Sequence, residues 1–172
     1  MLVAGADGEK SQFPNGLQTD HLSENTVGHG VSVPGRTSGV AIETGYVGQI
    51  IYGSGANVSL AVSGTVYNVA SLTLTPGVWL VFSSIECDAG GAAFTLFGGK
   101  ISEDSAAMGD ITFAVRDLST NVANGRFLTV PTRSFNTAVN KTLYLVAQAA
   151  WSGGTAPLAN WGLSSFYAVR IA

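Results

Sequence analysis

The sequence predicts an all-β fold class, a jelly-roll-like antiparallel β-sandwich with an extended N-terminal anchor and a short β stem. Three observations carry this. From residue 46 onward, short runs rich in Val, Leu, Ile, Phe and Tyr follow one another, punctuated by Gly, Asn and Pro, with no helical period between them. No internal repeat of the kind that builds propellers or solenoids is visible. Two of the runs meet at Pro76-Gly77, where proline presets φ at the first corner of a turn and glycine tolerates positive φ at the second. After that turn Trp79, Val81, Ser83 and Ile85 share one face, and Leu80, Phe82 and Ser84 the other. This run is apolar on both faces at its start, which predicts a strand lying between two layers.

Taken in order, residues 1–19 are small, polar and glycine-rich, with Pro14-Asn15-Gly16 as a turn signal and no sustained period. Such a tail gains order by docking on another chain, so it is read as an anchoring arm. Residues 20–45 hold a stem and a linker. Val27, His29, Val31 and Val33 alternate with Gly28, Gly30 and Ser32, giving a short strand with one apolar and one minimal face. One copy cannot bury that apolar face, but three copies around an axis can, with glycine allowing close backbone approach.

Residues 46–172 form the body. Strands are expected at about 46–52, 57–62, 65–74, 78–87, 93–101, 110–117, 126–135, 141–151 and 161–171. Turn signals separate them, including Gly53-Ser54-Gly55, Asp88-Ala89-Gly90-Gly91, Asn124-Gly125 and Ser152-Gly153-Gly154. The one helical candidate, residues 102–108, is too short to matter, which excludes βαβ classes.

Composition narrows the function. Charged residues make up 11% of the chain and mean hydropathy is +0.30, against about 25% charged in an ordinary soluble domain. No apolar run reaches the roughly 18 residues of a membrane span, so no membrane insertion is expected. A surface this poor in charge is instead read as covered by copies of the chain or by a partner. Residues 1–45 carry five acids against two bases and the body is balanced, so neither offers a basic face and no nucleic acid binding is expected. The start of the chain lacks the basic and long apolar segments of a secretory signal, which predicts assembly in a cytoplasm. The single Cys87 excludes an intrachain disulfide and reads as a small buried hydrophobe.

Two resemblances sharpen this. Asp20, Ser23, Glu24, Thr26, Gly30, Val31, Val33 and Gly35 form a pattern that resembles a short segment recurrent in tailed-bacteriophage structural proteins, chiefly tail fibres and fibre-like appendages. In that family it leads into a trimeric distal module. His29 departs from the small or polar residue usual there. Three blocks of the body, residues 46–50, 68–79 and 142–149, resemble in their order and spacing the sandwich domain that ends many phage fibres. The resemblance implies a homotrimer, a virion location, and contacts with other virion proteins through residues 1–19.

The search for chemistry is mostly exclusion. His21 and His29 lie near Asp20 and Glu24, but one chain supplies too few converging ligands for a metal, and His29 is read as a polar residue of the stem. Glu103, Asp104, Asp110 and Asp117 do not read as a converging acid pair of the kind glycosidases use. No histidine occurs in the body for a serine or cysteine triad, and Gly98-Gly99-Lys100 is not a phosphate loop. No cofactor is expected. Trp79 reads as core. Trp151, Trp161 and Asn160 flank or close the loop 152–160, and are the candidate contacts for a ligand or partner. The expectation is therefore a non-enzymatic virion protein of a tailed phage, a trimeric head fibre or capsid decoration protein. The alternatives are a short tail fibre that recognises a host surface glycan, and a carbohydrate-binding module or lectin.

Overall fold

The computed structural model of the chain describes Gly45 and residues 47–109, 115–117 and 126–172, with 115–117 described as backbone alone. The anchoring arm and the stem, with Val27, His29, Val31 and Val33, lie outside the described residues, as does Asp110.

The described body is all-β. Its strands are β1 (Ile50–Tyr52), β2 (Ser54–Gly55), β3 (Val58–Ser59), β4 (Val66–Leu74), β5 (Gly77–Asp88), β6 (Ala93–Ser102), β7 (Val115–Asp117), β8 (Arg126–Thr137), β9 (Lys141–Ser152) and β10 (Leu158–Arg170). They form two antiparallel sheets. One runs β1-β10-β5-β8, with β3 also pairing β10, and the other runs β2-β4-β9-β6-β7.

Among the described strands, only β6 and β7 are both consecutive in sequence and hydrogen-bonded to each other. Every other step along the chain crosses from one sheet to the opposite one. The pairing is nested, β1 with β10, β4 with β9, β5 with β8 and β6 with β7, so a long antiparallel ribbon is wound on itself. That winding is the jelly roll. The Pro76-Gly77 turn therefore does not pair its two arms, because β4 and β5 belong to different sheets.

This corner is fastened from two sides. The Trp79 indole Nε1 donates to the Thr75 carbonyl at 2.8 Å, and Arg170 donates to the Pro76 carbonyl while its guanidinium lies 5.4 Å from the Trp79 ring centre. Gly77 has φ +144°, and a Cβ there would stand 2.8 Å from the Ala172 carbonyl oxygen, so glycine is favoured by both conformation and space.

Strand alternation loads the space between the sheets. From β5 come Trp79, Val81, Ile85 and Cys87, and from β9 Leu143, Leu145, Ala147 and Ala149, all fully buried. Phe97 and Ile101 of β6, Val130 and Phe135 of β8, and Phe166 and Ala168 of β10 complete the core. Each large aliphatic or aromatic side chain buried this way contributes about 1.5–3 kcal/mol. Gly99 faces the same core, where a Cβ would lie 2.5 Å from Ile85 Cδ1 and 3.3 Å from Val130 Cγ2. Its missing side chain lets the sheets close over Ile85.

One expectation about β5 is corrected. Its inner face is buried, but Leu80, Phe82, Ser84 and Glu86 on the outer face are only half-buried. Two layers exhaust the described sandwich, and no third layer among the described residues covers that side.

Candidate interaction surface

The outer faces of the two sheets differ in chemistry. On the β2-β4-β9-β6-β7 sheet polar side chains are satisfied within the face. Thr73 and Thr142 share a hydroxyl hydrogen bond of 3.1 Å, Gln148 donates to the Gly64 carbonyl at 2.6 Å, and Asn68 both donates to Ser105 and accepts from the Ala106 amide. The last contact holds Ala106 at φ +49°. Lys100, buried beside this face, donates to the Met108 carbonyl at 2.9 Å.

The outer face of the β1-β10-β5-β8 sheet carries aliphatic and aromatic rows instead. Register aligns Ile50, Val169, Leu80 and Ser134 across it in one row, and Tyr52, Tyr167 and Phe82 in the next. Tyr52 is 76% exposed and Ile50 48%. The Phe82 and Tyr167 rings stack with centroids 5.1 Å apart and planes 15° from parallel, and Tyr52 lies 6.2 Å from Tyr167 in a tilted arrangement. A third row holds only hydroxyls, with Ser165 and Ser84 joined at 2.8 Å and Thr129 beyond. Between the aromatic and hydroxyl rows lies a shallow cleft of about 180 Å³, bordered by Phe82, Tyr167, Thr129 and Thr132. None of the side chains in these rows is charged.

A carboxylate closes one end. Glu86, in register with Asn160 and the 61%-exposed Phe127, has its Oε2 buried without a hydrogen-bond partner. Burial, reinforced by nearby Asp88, holds this carboxyl above the usual carboxylate range. The adjacent Cys87 is fully buried, and burial together with Glu86 and Asp88 pushes its thiol up to about 12. It is a packing residue, not a nucleophile. Far from these, Glu103 bridges Arg133 at 3.3 Å and Lys141, and its carboxyl is held below the usual range chiefly by the Lys141 hydrogen bond.

Of the residues singled out around the 152–160 loop, Asn160 stands in the Glu86 row, while the two tryptophans lie elsewhere. Trp151 and Trp161 are half-buried and pack against the core. The Trp151 indole donates to the Leu60 carbonyl at 3.0 Å, while Trp161 lies where a Cβ on Gly55 would meet its ring at 2.7 Å. Both tryptophans thus brace the connector that holds β2 and β3. Asn160 accepts from the Gly162 amide at 3.1 Å with its side chain and from Ser164 with its carbonyl, fixing the bulge in β10. Among the described residues no group of three or more His, Cys, Asp and Glu could hold a metal ion.

The aromatic row was only half legible. Leu80 and Phe82 stand out in sequence as a second apolar face of β5, but Tyr52 and Tyr167 join them through strand register, for which a single sequence gives no direct signal. No protein-family model matches the chain, and no curated protein matches it significantly.

Proposed function

We propose that this chain is a non-enzymatic structural virion protein of a tailed bacteriophage, a homotrimeric head fibre or capsid decoration protein attached through its N-terminal residues 1–19. The observation that carries the reading is the contrast between the two outer faces of the jelly roll. One carries polar side chains, among them Thr73, Thr142, Gln148 and Asn68, that are hydrogen-bonded within the body; the other presents uncharged aromatic and aliphatic rows to solvent in a single copy. A body that works alone in water gains nothing from such a face, whereas a body that works in an assembly does.

The fibre-like patterns at residues 20–35 and in the body supply the class of assembly, and the small, polar, glycine-rich residues 1–19 supply its attachment. The experiment is localisation on intact virions with gold-labelled antibody raised against the body, scored separately on heads and tails. Label over heads is the expected result. Label confined to tails replaces the capsid role with that of a short tail fibre, and no label on particles overturns the virion reading.

A further inference from the structure

We infer that the outer face of the β1-β10-β5-β8 sheet is where one copy of this chain packs against the next, with the Tyr52–Tyr167–Phe82 row at the centre of the contact. This inference rests on the trimeric reading above and adds the surface through which the bodies meet.

The first support is chemical. The rows from Ile50 to Thr129 hold apolar groups and hydroxyls alone. Copies related by rotation bring no like charges together on such a face, while a partner recognised through charge finds no counter-charge there. Aromatic rings that are already stacked lose little side-chain freedom on contact, as suits the buried centre of an interface. The hydroxyl row beside them, with Ser84 and Ser165 already bonded to each other, suits its wetter rim.

The second support is the order of the chain. The first strand of the described body, β1, is the edge of this sheet and carries Ile50 and Tyr52. The preceding chain includes the Val27, Val31 and Val33 alternation, whose apolar side has no use in one copy. On the trimeric reading that segment gathers three chains, and the strand that follows it in each, β1, borders the face left uncovered.

The test uses the full chain and exploits its single thiol, which is buried and silent, so that an introduced cysteine alone reports. Tyr52→Cys is compared with Val62→Cys, which is 59% exposed on the connector before β4. Thr132→Cys, on the border of the cleft, provides a second probe that removes no aromatic ring. Maleimide labelling rates and the mass by native mass spectrometry are read on the same samples. A three-chain mass, with labelling at positions 52 and 132 slower than at 62 by about tenfold or more, is expected from a solvent-excluded contact. A three-chain mass with all positions labelling alike overturns the assigned face and leaves the trimer standing. Protection that develops only on purified virions overturns it in favour of a different partner. A single-chain mass overturns the trimeric reading itself.

Discussion

The Tyr167 ring lies flat against Phe82, centroids 5.1 Å apart, although the two residues stand on neighbouring strands drawn from distant parts of the chain. The pair is joined by cross-strand register, and it faces outward. An offset stack of this kind contributes about 0.5–1.5 kcal/mol beyond the area it covers. Tyr167→Lys is expected to leave the β-sheet circular dichroism spectrum unchanged while shifting the sedimentation profile toward single chains. A variant that sediments as the wild type would separate this pair from assembly.

Packing at Gly99 gives a second expectation. Gly99→Ala places a methyl group against Ile85 Cδ1 and is expected to cost about 1–3 kcal/mol by overpacking. Ile85→Val removes that same δ-carbon. The double variant is therefore expected to be more stable than the sum of the two single losses implies, a coupling that denaturant titration of all four proteins measures directly.

Ser83 is buried in the bulged stretch of β5 with its hydroxyl unpartnered. Ser83→Ala removes a desolvated polar group without enlarging the side chain, and a gain of about 1 kcal/mol is expected. Thermal unfolding checks it; a loss of stability would mean the hydroxyl is satisfied.

The pH dependence at Glu86 has a definite sign. Its folded carboxyl is held above the usual range, so the unfolded chain ionises first as pH rises. Stability from this group is greatest below the ordinary carboxylate range and declines as pH climbs toward the raised value. Glu86→Gln is expected to melt at a higher temperature than the wild type at pH about 7 and at the same temperature at pH about 3. Glu103 has the opposite sign, with stability lost as pH falls, and the effect is small because the ion pairs are exposed.

Much of the strand inventory is legible in the chain. The expected runs at 65–74, 78–87, 93–101, 126–135 and 141–151 coincide with β4, β5, β6, β8 and β9 to within two residues at each end, because alternation and turn residues are strong there. The rest fails for physical reasons. Gly48 takes φ +88° within a turn where a strand is expected, so β1 starts only at Ile50. Ser54–Gly55 has turn composition but pairs with Ser71 and Ala70, where Gly55 is needed because a Cβ would lie 2.5 Å from the Val69 carbonyl. The bulge between Asn160 and Ser165 breaks the period of β10 and hides its first residues, which pair with Asp88 and Cys87.

Which sheet a strand joins is the deeper gap. Alternation identifies the faces of β5, yet it cannot say that β5 sits between β10 and β8 rather than beside β4, and the surface described here exists only through that neighbourhood. The tryptophans stand out as candidates because they flank the 152–160 loop. Their half-buried position bracing the 53–60 connector depends on contacts with Gly55 and Leu60 that no local pattern marks.

The most direct measurement is the mass of the full chain by sedimentation equilibrium over a wide range of protein concentration. A species of three 17.6-kDa chains that persists on dilution is expected. A single chain at every concentration would contradict a role in which the exposed apolar face is covered by further copies.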